Sequence, residues 1–122
     1  KQPGLTLVTG RILGANGAVS KVTGKGWSIA YVTEGLYTIT FKENNGTFLG
    51  LMGPPAFQAT TMADVDGWTA VFGAYTTTTP SAPTIQLTVY DQQDNATAAD
   101  LPALAWLSFC FMFTNVNVGN LT

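Results

Sequence analysis

The apolar segment LAWLSFCFMF, residues 104–113, restricts the fold of this chain more than any other stretch. It is about half as long as the roughly 20 residues that a membrane-spanning helix needs, so it indicates a strand. Side chains alternate between the two faces of a strand. One face carries Leu107, Phe109, Phe111 and Phe113, and the other carries Trp106, Ser108, Cys110 and Met112.

Both faces of this strand are largely apolar, whereas a strand in a two-layer sheet protein meets its own core on one face only. The second face must be covered by a loop of the same chain, by a neighbouring subunit, or by an axis where several subunits meet. Large exposed apolar patches favour association. We therefore expect a subunit interface along this strand, with cover by the chain's own loops as the alternative.

The rest of the sequence alternates between short β-prone runs and turn signals. Gly-rich and Asn-rich breaks such as GANG, TGKG and NNG separate the runs, and no run shows a helical apolar period of ten or more residues. The pattern predicts an all-β fold, an antiparallel jelly-roll sandwich of about eight strands in a single domain spanning residues 1–122. The candidate strands are 5–13, 18–22, 27–32, 36–43, 47–52, 56–62, 68–75, 84–91 and 104–116.

The surface predicted from composition is weakly charged. Charged residues make up 10% of the chain, against roughly 25% in an average soluble domain, and the formal net charge is −2. Nineteen threonines, seven asparagines and thirteen glycines take their place. Without a basic stripe, nucleic-acid binding is not expected, and the lack of a long apolar run argues against a membrane partner. Weak mutual repulsion favours packing against neighbours.

The sequence offers little catalytic or metal-binding chemistry. Histidine is absent, and the single Cys110 lies in an apolar context that predicts a buried thiol. Carboxylates remain, and two groups could supply oxygen ligands to calcium, but neither matches an EF-hand loop and plain solvated turns are the favoured interpretation. These groups are Asp64 with Asp66, and Asp91 and Asp94 with Asn95, while Asp100 is a further carboxylate at the end of the long polar loop. We predict no catalytic residue, no cofactor and no metal, and hence no enzyme.

Two segments carry a resemblance to a known family. GLYTITF, residues 35–41, and the stretch LTVYD…TAADLPALAWLSFCFMF resemble the C1q/TNF-type jelly roll in its small phage-encoded form. The resemblance implies a compact homotrimer whose aromatic strands line the three-fold axis, and phage members of this type serve as capsid decoration or cement proteins or as fibre tips. The matching positions are Gly35, Tyr37, Phe41, Asp91, Asp100, Leu101, Phe109 and Phe111.

The expected function is that of a virion structural protein on the capsid surface, a decoration or cement subunit that binds the major capsid protein. The expected trimer contacts are Tyr37, Phe41, Trp106, Phe109, Phe111 and Phe113. The short polar ends would act as arms, with shell contacts at Leu5, Leu7, Thr9, Val116 and Val118. The alternative is a recognition module, either a receptor-binding tail-fibre tip or a carbohydrate-binding domain, that uses loops near Trp68 and Tyr75.

Overall fold

Nine β-strands make up most of the chain that the structure, a computed structural model, describes: residues 5–15, 19–42, 55, 57–63, 67–76, 82–91 and 97–114. No helix occurs in these ranges, and accordingly none there could cross a membrane. The strands are β1 (Leu5–Gly14), β2 (Val19–Gly24), β3 (Trp27–Thr33), β4 (Leu36–Phe41), β5 (Phe57–Ala63), β6 (Trp68–Thr76), β7 (Thr84–Asp91), β8 (Thr97–Ala98) and β9 (Trp106–Thr114).

The strands form two antiparallel sheets packed face to face, which confirms the predicted all-β sandwich. Sheet A has the order β2-β1-β9-β5, and sheet B has the order β3-β4-β7-β6, with β8 paired to β7. The first and last strands are neighbours, and their register runs from Leu5 opposite Thr114 to Leu13 opposite Trp106. The predicted strand at 47–52 lies outside the described residues.

The core is built by the alternation that the sequence predicts. In β9, the face with Phe109, Phe111 and Phe113 points into the sandwich, where the rings meet aromatic residues of sheet B. The Phe111 ring lies 5.3 Å from that of Phe41 and 4.6 Å from that of Phe72, both edge to face. Such edge contacts add to the stabilisation from burial.

Five of the six predicted trimer-contact side chains therefore belong to the core of a single chain. None of the five is more than 4% exposed, so no second copy can reach them, and their assignment to an interface is wrong. The sequence shows that β9 has two apolar faces but not which of them is turned inward. The five are Tyr37, Phe41, Phe109, Phe111 and Phe113; Trp106 lies on the opposite face.

Four of the residues that carry the family resemblance form two hydrogen bonds at the crossover between the sheets. The backbone N–H of Leu101 donates to the Tyr37 hydroxyl at 2.7 Å, and the N–H of Gly35 donates to Oδ1 of Asp100 at 2.9 Å. Gly35 has a φ of 76°, and a Cβ there would lie 2.7 Å from the backbone N of Ala99. These motif positions therefore hold the chain in place after β8. Burial raises the pKa of Tyr37.

The contribution of the Tyr37–Leu101 hydrogen bond can be tested by removing one oxygen atom, the Tyr37 hydroxyl. Tyr37→Phe leaves a buried N–H without its acceptor, and we expect it to lower the free energy of unfolding by about 1–3 kcal/mol. Urea denaturation measures the effect, with Tyr90→Phe as the control because Tyr90 is only half-buried, next to the core residue Val89. Equal stability of the two variants would show that the bond contributes nothing.

Candidate assembly surface

The solvent-facing side of sheet A carries the second apolar face of β9. Its large apolar side chains form what we call the outer patch. The register places Leu7 of β1 opposite Met112 of β9, and Leu13 opposite Trp106. Leu7 is 65% exposed, whereas the others are half-buried. The outer patch consists of Leu7, Leu13, Trp106, Cys110 and Met112.

One charged side chain, Arg11, lies in the middle of this face among the described positions of β1, β5 and β9. Its Nε donates to the Ser108 hydroxyl across the strand pair at 3.2 Å. Its guanidinium carbon lies 5.3 Å from the centre of the Trp106 ring, within the range of a cation–π contact. The arginine therefore lies over the tryptophan, and its aliphatic stem adds apolar surface to the patch.

A shallow depression lies beside the outer patch, between β5 and β9. Its volume is about 170 Å³. Cys110, a free and half-buried thiol, is one of its walls. The lining residues carry no charge: Ala59, Thr60, Thr61, Ser108, Phe109 and Cys110.

The structure brings together residues that the sequence assigned to different surfaces. Trp106, expected at a trimer contact, shares the outer face of sheet A with Leu7 and Thr9, expected at a shell contact. Leu5 begins β1, its side chain is not described, and Val116 and Val118 lie outside the described residues. Neither Leu13 nor Met112 was predicted to be a contact residue, although Met112 belongs to the second apolar face predicted for β9 and the odd-numbered alternation in β1 points to Leu13.

The alternative recognition site was predicted at loops near two aromatic residues, Trp68 and Tyr75, and the structure describes both residues. Trp68 and Tyr75 both lie in β6, and both side chains are half-buried against the core. The Tyr75 ring lies 6.1 Å from that of Phe113, and burial raises the pKa of its phenol. Both rings are partly covered by the core, and the loop residues 64–66 and 77–81 beside them lie outside the described residues.

The structure describes only two of the carboxylates that the sequence singles out around its polar loops. Asp64, Asp66 and Asp94 lie outside the described residues. Asp91 and Asp100 are described, and Asp100 bonds the backbone of Gly35. Within the described ranges, no group of three or more His, Cys, Asp or Glu side chains could hold a metal ion.

Comparison with known proteins does not place the chain in a family. No family model, no curated protein and no solved structure matches it. The outer patch and the charge of each sheet face are therefore the features from which a function can be proposed.

Proposed function

We propose that this protein is a non-enzymatic structural subunit that associates with copies of itself through the outer patch. The observation that carries the proposal is the composition of that face, where Leu7, Trp106 and Met112 lie in a sheet position that water normally occupies. Each Å² of apolar surface removed from water contributes about 25 cal/mol. Arg11 lies over Trp106, so its guanidinium keeps a cation–π partner and the Ser108 hydroxyl within its own chain.

The contrast between the two sheets supports this choice of face. The outer face of sheet B carries mainly hydroxyl and amide side chains on its central strands, β4 and β7, which are suited to water, whereas Val32 and Val71 are exposed on its edge strands. Its exposed or half-buried positions include Ser28, Thr38, Thr40, Gln86 and Thr88. Sheet A has no comparable polar cover on β9, and this difference favours sheet A as the contact surface.

The second part of the proposal names the surface to which the assembly binds. We assign the protein to the capsid surface of a phage as a trimeric decoration or cement subunit that binds the major capsid protein. This part is supported by the resemblance of residues 35–41 and 87–113 to the small phage-encoded jelly rolls and by the low charge of the chain. Many weak contacts repeated over a shell add up through multivalency, so no single strong site is needed.

Self-association is tested by Leu7→Lys. A charge at this exposed position makes association costly without disturbing the core, and we expect the dissociation constant of the assembly to rise at least about tenfold, equivalent to about 1.4 kcal/mol. Size-exclusion chromatography with light scattering over a concentration series measures it. Val71→Lys is the matched control, because Val71 is 53% exposed on sheet B.

A wild-type chain that stays monomeric at every concentration would contradict self-association.

The capsid assignment has a separate test. Mass spectrometry of purified particles from the virus whose genome carries the gene should find the protein in many copies per particle. Particles that contain none would contradict the assignment and leave self-association untouched.

A further inference from the structure

Leu104 lies in the turn before β9 in a backbone conformation that leucine rarely adopts. Its φ is 65°, and the turn is closed by a bond from the Ala105 N–H to the Pro102 carbonyl at 3.1 Å. Leu104 thus takes the third position of the turn, where a positive φ favours glycine or asparagine. It is also 73% exposed, the highest value for a large apolar side chain in the described ranges.

The turn that carries Leu104 is held against β1. The Leu104 N–H donates to the Gly14 carbonyl at 2.9 Å, and the Gly14 N–H donates to the Ala105 carbonyl at 2.9 Å. Packing is close, because a Cβ on Gly14 would lie 2.2 Å from the Pro102 carbonyl oxygen. The leucine side chain is therefore presented from a fixed base.

Within one chain, Leu104 combines a disfavoured backbone conformation with an apolar side chain left in water. The backbone conformation opposes stability, and glycine at this position would remove that strain. A strained and exposed residue on a rigid base is typical of a position that serves a contact outside the chain.

The depression between β5 and β9 is suited to receive such a side chain. Its volume is about 170 Å³ and it is open to the surface, so the end of an apolar side chain from another copy can rest in it. Neither its walls nor the neighbours Pro102 and Ala103 carry a charge, so the contact would desolvate none.

The charges around the two surfaces are complementary. Arg11 is paired with Ser108 at the wall of the depression. The segment that carries Leu104 also carries Asp100, whose carboxylate bonds the backbone N–H of Gly35, next to Glu34. A contact between copies would therefore bring an acidic segment toward a basic side chain.

We infer that Leu104 of one copy inserts into the depression between β5 and β9 of a second copy. The inference rests on the proposed self-association and names its contact. Leu104 does not line the depression of its own chain, whose walls in β9 are Ser108, Phe109 and Cys110. This contact joins two different surfaces. If each copy makes it with the next, the copies form a closed ring where the rotation between neighbouring copies permits closure.

The native Cys110 makes the contact testable by cross-linking. In Leu104→Cys, the introduced thiol of one copy should lie beside Cys110 of the next, and mild oxidation with copper(II) and oxygen should give disulfide-linked oligomers on non-reducing gels. The number of copies in the largest closed product reports the size of the ring. Adding Cys110→Ser should abolish the product, and Val71→Cys, with its thiol on sheet B, should not give it. Monomer alone in Leu104→Cys, or a product that survives Cys110→Ser, would overturn the contact.

Leu104→Gly provides a second readout with two opposite effects. Relief of the backbone strain should raise the melting temperature of the monomer, while loss of the side chain should raise the dissociation constant at least about tenfold. Unchanged association in Leu104→Gly, with weaker association in Leu7→Lys, would overturn this contact and leave the proposed function standing. A wild-type protein that stays monomeric would contradict both the Leu104 contact and the proposed self-association.

Discussion

Replacing Phe111 with alanine is expected to lower the free energy of unfolding by about 3–5 kcal/mol. The Phe111 side chain is fully buried at the centre of the aromatic core. Its ring contacts Phe72 at 4.6 Å, Phe41 at 5.3 Å and Phe109 at 5.4 Å between centroids. Truncation removes burial and edge contacts together and leaves a cavity that strands of both sheets would have to shift to fill.

Chemical denaturation followed by circular dichroism measures the Phe111→Ala effect. Met112→Ala is the control, because Met112 is the next residue in β9 but lies half-buried on the outer face. Its expected cost is about 1 kcal/mol when measured at a dilution that keeps the chain monomeric. Similar costs for both variants would show that Phe111 is not at the centre of the core.

Gly10→Ala should be at least as damaging as the loss of a core ring, at about 3 kcal/mol or more. A Cβ on Gly10 would lie 2.3 Å from Cζ2 of Trp27 and 2.6 Å from Cζ of Phe109. The indole cannot move aside freely, because its Nε1 donates to the Thr9 carbonyl at 3.0 Å and its ring meets Phe109 at 4.8 Å. The methyl group can be accommodated only if β1 and β9 shift.

Gly73→Ala is the matched control for Gly10→Ala. Gly73 also lies in a strand, and a Cβ there would meet no atom within 4 Å. Its effect should stay within about 0.5 kcal/mol, or stabilise slightly, because alanine loses less backbone entropy than glycine on folding. Thermal unfolding followed by tryptophan fluorescence compares the two variants, and equal melting temperatures would refute the close packing at Gly10.

Much of the fold could be predicted because strand alternation is a local property. The predicted run 84–91 coincides with β7, and 5–13 differs from β1 by one residue. The two-residue strand β8 was missed, since two residues have no period and β8 is defined by its pairing with Tyr90 and Asp91. The left-handed conformation of Leu104 was also missed, because only glycine and asparagine announce such a conformation in a sequence.

The sequence by itself determined the all-β class, the weak surface charge and the division of β9 into two alternating sets of side chains. These properties depend on residue type and spacing alone. Which set is turned inward was decided by tertiary structure, because sheet B supplies Phe41 and Phe72 opposite the phenylalanine set. The outer patch exists because the sandwich encloses only one face of β9 among the described residues, and the other face is the one that we propose for contact between copies.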